Sequence, residues 1–267
     1  MKTRVFPALL KSWRHRRGLS QLDLAITAEM SPRHLSFLET GRSRPSPEMV
    51  LRLAAALDVP LREQNELLAA AEHPPHFPDS DTASLPPAIE RVLARMCEQQ
   101  EPYPLIVVDS AYDVERTNRA GQALLSRFVK ELDAIGHPLN LFDLTFDHRL
   151  SRPFIVDWEQ AARDLLARLH REVLLHPGDP RRADLLARVL AMPDVPKLWR
   201  APDFGRGQDP VLSIQLARDG VCLSFITVVT AFSSPHTVTL DELRIEAWFP
   251  GDDATAAFCA AIAATEA

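Results

Sequence analysis

Cysteine and glycine are scarce in this chain, and no apolar run is long. The three cysteines, Cys97, Cys222 and Cys259, are odd in number and far apart. They form no C-x-x-C pair and no zinc-ligand spacing, which excludes a disulfide framework and points to free thiols in a reducing cytoplasm. Only nine glycines occur in 267 residues. None builds a phosphate-binding loop or a G-x-S-x-G elbow, and H-E-x-x-H is also missing, so catalysis is not expected. The histidines His148, His170 and His176 sit at no ligand spacing, so neither a metal nor a cofactor is expected. The longest apolar stretch, Val221 to Phe232, is broken by Ser224, Thr227 and Thr230 and falls short of the roughly 20 residues of a spanning helix. It reads as a buried strand, and no membrane is expected as a partner. The opening MKTRVFPALLKSWRHRR has neither the apolar core nor the cleavage site of a signal peptide.

What is present suits an ordinary soluble chain of two domains, with 46% apolar and 25% charged residues. Its net charge of −6 is unevenly spread. Met1 to Arg44 holds nine Lys or Arg against three acids, a local +6, so the remainder carries −12. A basic head on an acidic body confines attraction for a polyanion to one domain.

The periodicity predicts five short helices over residues 1–72. Phe6, Leu9, Leu10 and Trp13 make the stripe of the first, which stops near Gly18. Ser20 with Asp23 opens the second, given an apolar face of Leu22, Ala25 and Ile26. Ser31-Pro32 opens the third, with Leu35 and Leu38 inward and Gly41 at its end. Ser46-Pro47 opens the fourth, with Val50, Leu53, Ala54 and Leu57 inward, and Leu61 to Ala71 makes the fifth.

Residues 73–87 hold five prolines and read as a linker. Beyond it, residues 88–267 read as an α+β domain. Two strands, PLIVVD and DVERTN, turn near Ser110 to Tyr112 and lead into a helix from Arg119. A helical insertion spans Trp158 to Leu190. Three more strands follow, the first two joined at Gly220, and a short helix ends the chain.

The run LSQLDLAITAEMSPRHLSFLETGRSRPS, Leu19 to Ser46, closely resembles the XRE, or lambda-repressor-like, helix-turn-helix family. The third helix is the expected major-groove reader. Ser31 opens it; Arg33 suits guanine, His34 and Ser36 are adaptable hydrogen-bonders, and Phe37 suits either a thymine methyl or the core. The resemblance implies that Gln21 meets a phosphate or a neighbouring base. Arg42 and Arg44 after that helix, with Arg14, Arg16 and Arg17 near the end of the first, are expected on backbone phosphates. Glu39 is expected to hold Arg42 or a backbone amide.

Residues from about Pro87 onward resemble the ligand-binding domain of MmyB-like transcription regulators. The likeness rests on LIVVDSAYDVERTNRAGQALL, VDWEQAARDLLARLHRE and LSFITVVTAFSSPHTVTLDELRIEAWFPGDD. It implies a PAS-like antiparallel sheet with a helical insertion and a small apolar, fatty-acyl type of ligand. Asn118, Trp158, Phe225 and Thr227 are the expected pocket lining, the alternative being that they are core or capping residues. A pocket of about 300 to 1,000 Å³ is typical of such sites. The whole is expected to act as a homodimer on a double-stranded DNA operator with half-sites about one helical turn apart. A second domain serving only dimerisation or docking, or an enzyme, is the alternative.

Overall fold

Three of the early helices begin where a side chain takes over an unpaired backbone N–H. After α1 (Val5–Arg16), Gly18 adopts φ 66° and ends the turn. At α2 (Gln21–Thr27), the Ser20 hydroxyl accepts from the Asp23 amide at 3.1 Å, and Asp23 accepts from the Ser20 amide at 3.0 Å. At α3 (Pro32–Glu39), Ser31 accepts from the His34 amide at 3.2 Å. At α4 (Pro47–Ala56), Ser46 accepts from the Met49 amide at 3.3 Å. Each such cap contributes about 1 kcal/mol. By contrast, α5 (Leu61–Ala70) starts at Pro60 with no cap from its own N-cap residue.

The structure, a computed structural model, describes residues 5–79, 85–130, 132, 135, 138–201, 212–233 and 235–265. Residues 80–84 of the expected linker and Val211 at the head of an expected strand lie outside these. The chain divides into two units. The first is Met1–Asp79 together with Ser234–Asp241, and the second is Ser80–Ser233 with Glu242–Ala267.

In the first unit, Phe6, Leu10, Trp13, Leu24, Ala25, Leu35, Leu38, Val50, Leu53 and Leu67 share one core. Leu22 and Ile26 do not join it. They are 55% and 67% exposed, and Leu24, Ala25 and Ala28 are buried instead. Helix α2 is therefore turned so that its small residues face the neighbours, which lets α2 approach α3 closely. Residues 235–241 return to this unit from far along the chain. The Val238 amide donates to Pro78 O at 2.9 Å, and the Leu61 amide donates to the Asp241 carboxylate at 3.0 Å. Asp241 thus supplies the cap that Pro60 withholds from α5.

The second unit opens with a helix that sequence periodicity did not reveal, α6 (Pro87–Gln100). Prolines at its N-cap and first position read as the end of the linker, and Leu93 is its one buried residue. Then come β1 (Leu105–Val108), β2 (Val114–Thr117), α7 (Arg119–Phe128), α8 (Leu141–Phe146), α9 (Trp158–Leu175) and α10 (Pro180–Leu190). The insertion is two helices because Pro180 ends one run, and the Asp179 carboxylate accepts from the Arg181 amide to start the next. The chain closes with β3 (Leu212–Arg218), β4 (Val221–Thr230), α11 (Val238–Glu242), β5 (Arg244–Pro250) and α12 (Asp253–Thr265).

The five strands form one antiparallel sheet in the order β2-β1-β5-β4-β3. Asp219 and Gly220, at φ 50° and 77°, make the two-residue turn between β3 and β4. The register pairs Thr227 with Trp248, and Ile106 with Glu246, so these four side chains share a face. That face packs with α7, α8 and α9. On the other face α6 covers Leu105, Val107 and Ile245. Among the described residues, no helix is long and apolar enough to cross a membrane.

Candidate nucleic-acid interface and ligand cavity

Helix α3 has two unlike sides. Leu35 and Leu38 are completely buried, while Ser31 and Arg33 are exposed and His34, Ser36 and Phe37 are half-buried. Phe37 is absent from the core. Its ring lies under two guanidiniums, Arg33 at 5.5 Å and Arg42 at 6.0 Å. Such stacking favours holding long cationic side chains over one patch rather than leaving them free.

Beneath this surface lies a polar node that sequence reasoning did not find. Arg14 Nε donates to Glu39 Oε1 at 2.6 Å and Nη2 to Oε2 at 3.0 Å, with side chains only 8% and 2% exposed. Gln21 Nε2 donates to Glu39 Oε2 at 2.7 Å. Burial pushes the Glu39 carboxyl up, but the hydrogen bonds from Arg14 and Gln21 and the Arg14 charge outweigh it and hold the pKa below the usual value. Glu39 therefore holds Arg14 and Gln21, not Arg42. Arg14 is buried by this pair rather than free for a phosphate. The node ties α1, the start of α2 and the end of α3 into one piece.

Two other arginines expected on phosphates donate to helix ends in the DNA-free chain. Arg17 Nε donates to Leu57 O at 2.6 Å, and its Nη2 reaches Asp58 O, satisfying carbonyls past the end of α4. Arg44 Nε and Nη2 donate to Ala71 O and Glu72 O, each at 3.2 Å, and Nη1 pairs with the Glu72 carboxylate at 3.0 Å. A carbonyl left over at a helix C-terminus draws a guanidinium strongly, and a sequence reading has no means of seeing which C-terminus lies near. Arg42 is exposed and stays on the outer face beside Arg33.

In the second unit a cavity of about 100 Å³ lies between the sheet and α7, α8 and α9. Leu124 and Phe128 of α7, Leu144 of α8, Leu165 of α9, Ile214 of β3 and Trp248 of β5 are part of its apolar wall. Thr227 is among the residues that line it. Three other expected lining residues do not. Asn118 is buried and accepts from the Leu105 and Gly121 amides, each at 2.9 Å, while donating to Tyr103 O at 2.8 Å. It is the cap of α7 and a clamp between that helix and β1. Gly121 beside it admits no side chain, since a Cβ would sit 2.0 Å from Thr117 Oγ1. Trp158 donates to Thr145 O at 2.7 Å and packs its ring 3.6 Å under the Arg152 guanidinium. Phe225 is fully buried against Trp248, with ring centres 5.6 Å apart.

Among the described residues, the charged side chain on this wall is Glu246. Its carboxylate accepts from Arg168 Nη1 at 2.9 Å. Arg168 Nε also pairs with Glu172 at 3.2 Å, and the Tyr112 hydroxyl donates to Glu172 at 2.8 Å. Burial pushes the Glu246 carboxyl above its usual range, against the pull of Arg168. Nearby, burial first and the Arg182 and Arg244 charges second lower His176 to about 4, so it is neutral at pH 7. An acid in the apolar strand RIEAWFP, two residues from Trp248, was the available signal, because strand alternation puts both on one face. Among the described residues, no three His, Cys, Asp or Glu are grouped to hold a metal ion.

A helix-turn-helix unit with one amphipathic, cation-bearing helix, followed by a sheet domain enclosing an apolar cavity, defines a transcription regulator with a ligand-binding domain. Residues 6–67 match a helix-turn-helix domain, and residues 85–262 match the MmyB-like transcription regulator ligand binding domain. The chain belongs to the MmyB-like transcription regulators. No curated protein matches it.

Proposed function

We propose that the first unit reads a double-stranded operator with α3, as a homodimer on a pseudo-palindrome, and that a small apolar ligand in the cavity of the second unit modulates the affinity. Arg33, His34, Ser36 and Phe37 face base edges, with Ser31 at the entry of the helix. Gln21 touches the adjacent backbone, and Arg42 meets phosphate. Arg14, Arg17 and Arg44 hold the unit in shape. The observation that carries this reading is the Phe37 ring with Arg33 and Arg42 gathered over it, on a helix whose opposite side is fully buried.

The modulation has a covalent route. Strands β4 and β5 carry Thr227, Glu246 and Trp248 of the cavity wall, and the segment between those strands belongs to the first unit, where Asp241 caps α5. A ligand that shifts the strands pulls on that cap. A coupling of about 1 to 3 kcal/mol changes operator affinity roughly 5-fold to 150-fold. The sheet order β2-β1-β5-β4-β3, with α7, α8 and α9 over one face and α6 over the other, supports the PAS-like reading. Selection from random duplexes with the full chain tests the proposal. It should enrich a two-fold symmetric site with half-sites about one helical turn apart. Failure to enrich any sequence would remove operator reading by α3.

A further inference from the structure

The two faces of the sheet differ in charge. On the face turned away from α7, α8 and α9, β4 shows Ser224, Ile226 and Val228, with Gln215 of β3 and Ala247 and Phe249 of β5 beside them. Among the described residues of these three strands, no outward position holds Asp, Glu, Lys, Arg or His. In a chain with 25% charged residues, that is an unusual stretch of surface.

A sheet face that meets water normally turns its polar and charged side chains outward. Here Ile226, Val228 and Phe249 point outward and are 37%, 44% and 40% exposed. Ile226 pairs with Phe249 across β4 and β5, and Val228 follows two residues along, so the three form one patch. Helix α6 covers the neighbouring part of this face, over Leu105, Val107 and Ile245.

Charge limits what can cover the patch. Beyond Arg44 the chain carries −12, so two copies repel wherever their acidic surfaces meet. A partner that presented a charge here would have to bury it unpaired, which is costly. A second copy presents the same uncharged face. Its contact buries apolar groups against apolar groups, with Ser224 and Gln215 as polar margin. Charged pairs flank the patch rather than enter it: Arg95 with Glu98 on α6, and Arg218 with Asp219 at the hairpin turn.

We infer that the second unit pairs with another copy of itself through this patch, sheet against sheet, about a two-fold axis close to Val228. Across such an axis one patch serves both copies. The inference rests on the homodimer of the proposed function and names its interface. Three strands about 4.8 Å apart, followed for roughly 25 Å, give about 350 Å² from each copy. A standard stable interface takes about 800 Å² per partner, so the contact is weak alone and is completed when two half-sites hold two copies together.

Sedimentation equilibrium of the full chain over a concentration series tests it. The chain should pass from monomer to dimer as concentration rises. Val228→Glu and Val228→Lys, at an exposed position, should leave melting unchanged and each weaken self-association at least about tenfold, because like charges meet across the axis. Mixing the two variants should restore dimers, because opposite charges then meet. The same pair of changes at Ile226 repeats the test. Leu198→Glu, on an exposed residue of the turn Lys197–Arg200, should leave association as it was. A dimer indifferent to Val228→Glu would overturn this interface and leave the homodimer standing. So would a mixture no more associated than its components, or an equal effect of Leu198→Glu, which would make total charge the cause. A chain that stays monomeric throughout would remove the homodimer reading, and the interface with it.

Discussion

The first unit buries its apolar residues in one cluster and keeps an ionic node, Arg14–Glu39, beneath α3. The second unit distributes its apolar residues over three clusters around a sheet, and an acid-rich network ends at the wall of a cavity. The contrast separates two tasks. On the proposed function, α3 meets base edges and gains from a filled, fixed support, because a small displacement breaks hydrogen-bond geometry. A domain that must respond to a small molecule needs space that the molecule can fill and polar groups whose satisfaction depends on it.

The sharpest way to break this contrast is at the buried node. Arg14→Ala leaves Glu39 charged and uncompensated, and should destabilise the chain by about 3 to 5 kcal/mol in denaturant unfolding. Replacing both partners with methionine should cost much less. Equal losses for the single and double changes would mean that packing, not charge, fixes α3.

On the outer face the comparison is between two arginines that look alike in sequence. Arg33→Ala should lose about 1 to 3 kcal/mol of operator affinity with little loss on random DNA, read by competition binding. Arg44→Ala should instead lower stability by about 0.5 to 1 kcal/mol, because it removes half-exposed charged hydrogen bonds at the end of α5. A uniform fall in DNA affinity without a change in melting would return Arg44 to the phosphate contacts.

The smallest effect is on acid stability. Folding lowers the Glu39 pKa from 4.5, so the folded state favours the ionised form. The stabilisation is complete above the unfolded value and is lost as pH falls through the folded one. Melting curves between pH 6 and about pH 3 should show this loss, and Glu39→Gln should flatten that part of the profile. A profile identical in the two proteins would remove Glu39 from acid unfolding.

By itself the sequence determined the parts governed by local rules. Ser20, Ser31 and Ser46 announce helix starts because a hydroxyl beside a free N–H acts over three residues. Gly220 announces a hairpin because its φ suits few other residues, and the stripe of Leu35 and Leu38 sets which side of α3 is outward. Tertiary structure decided what depends on neighbours distant in the chain. Arg14 meets Glu39 across 25 residues, Arg17 meets Leu57 across 40, and Asp241 caps α5 from 180 residues away. Asn118 and Trp158 became clamps rather than lining because their partners come from other elements. Charge and hydrogen-bond partners are chosen by proximity in space, and proximity in space is what a linear order of residues does not contain.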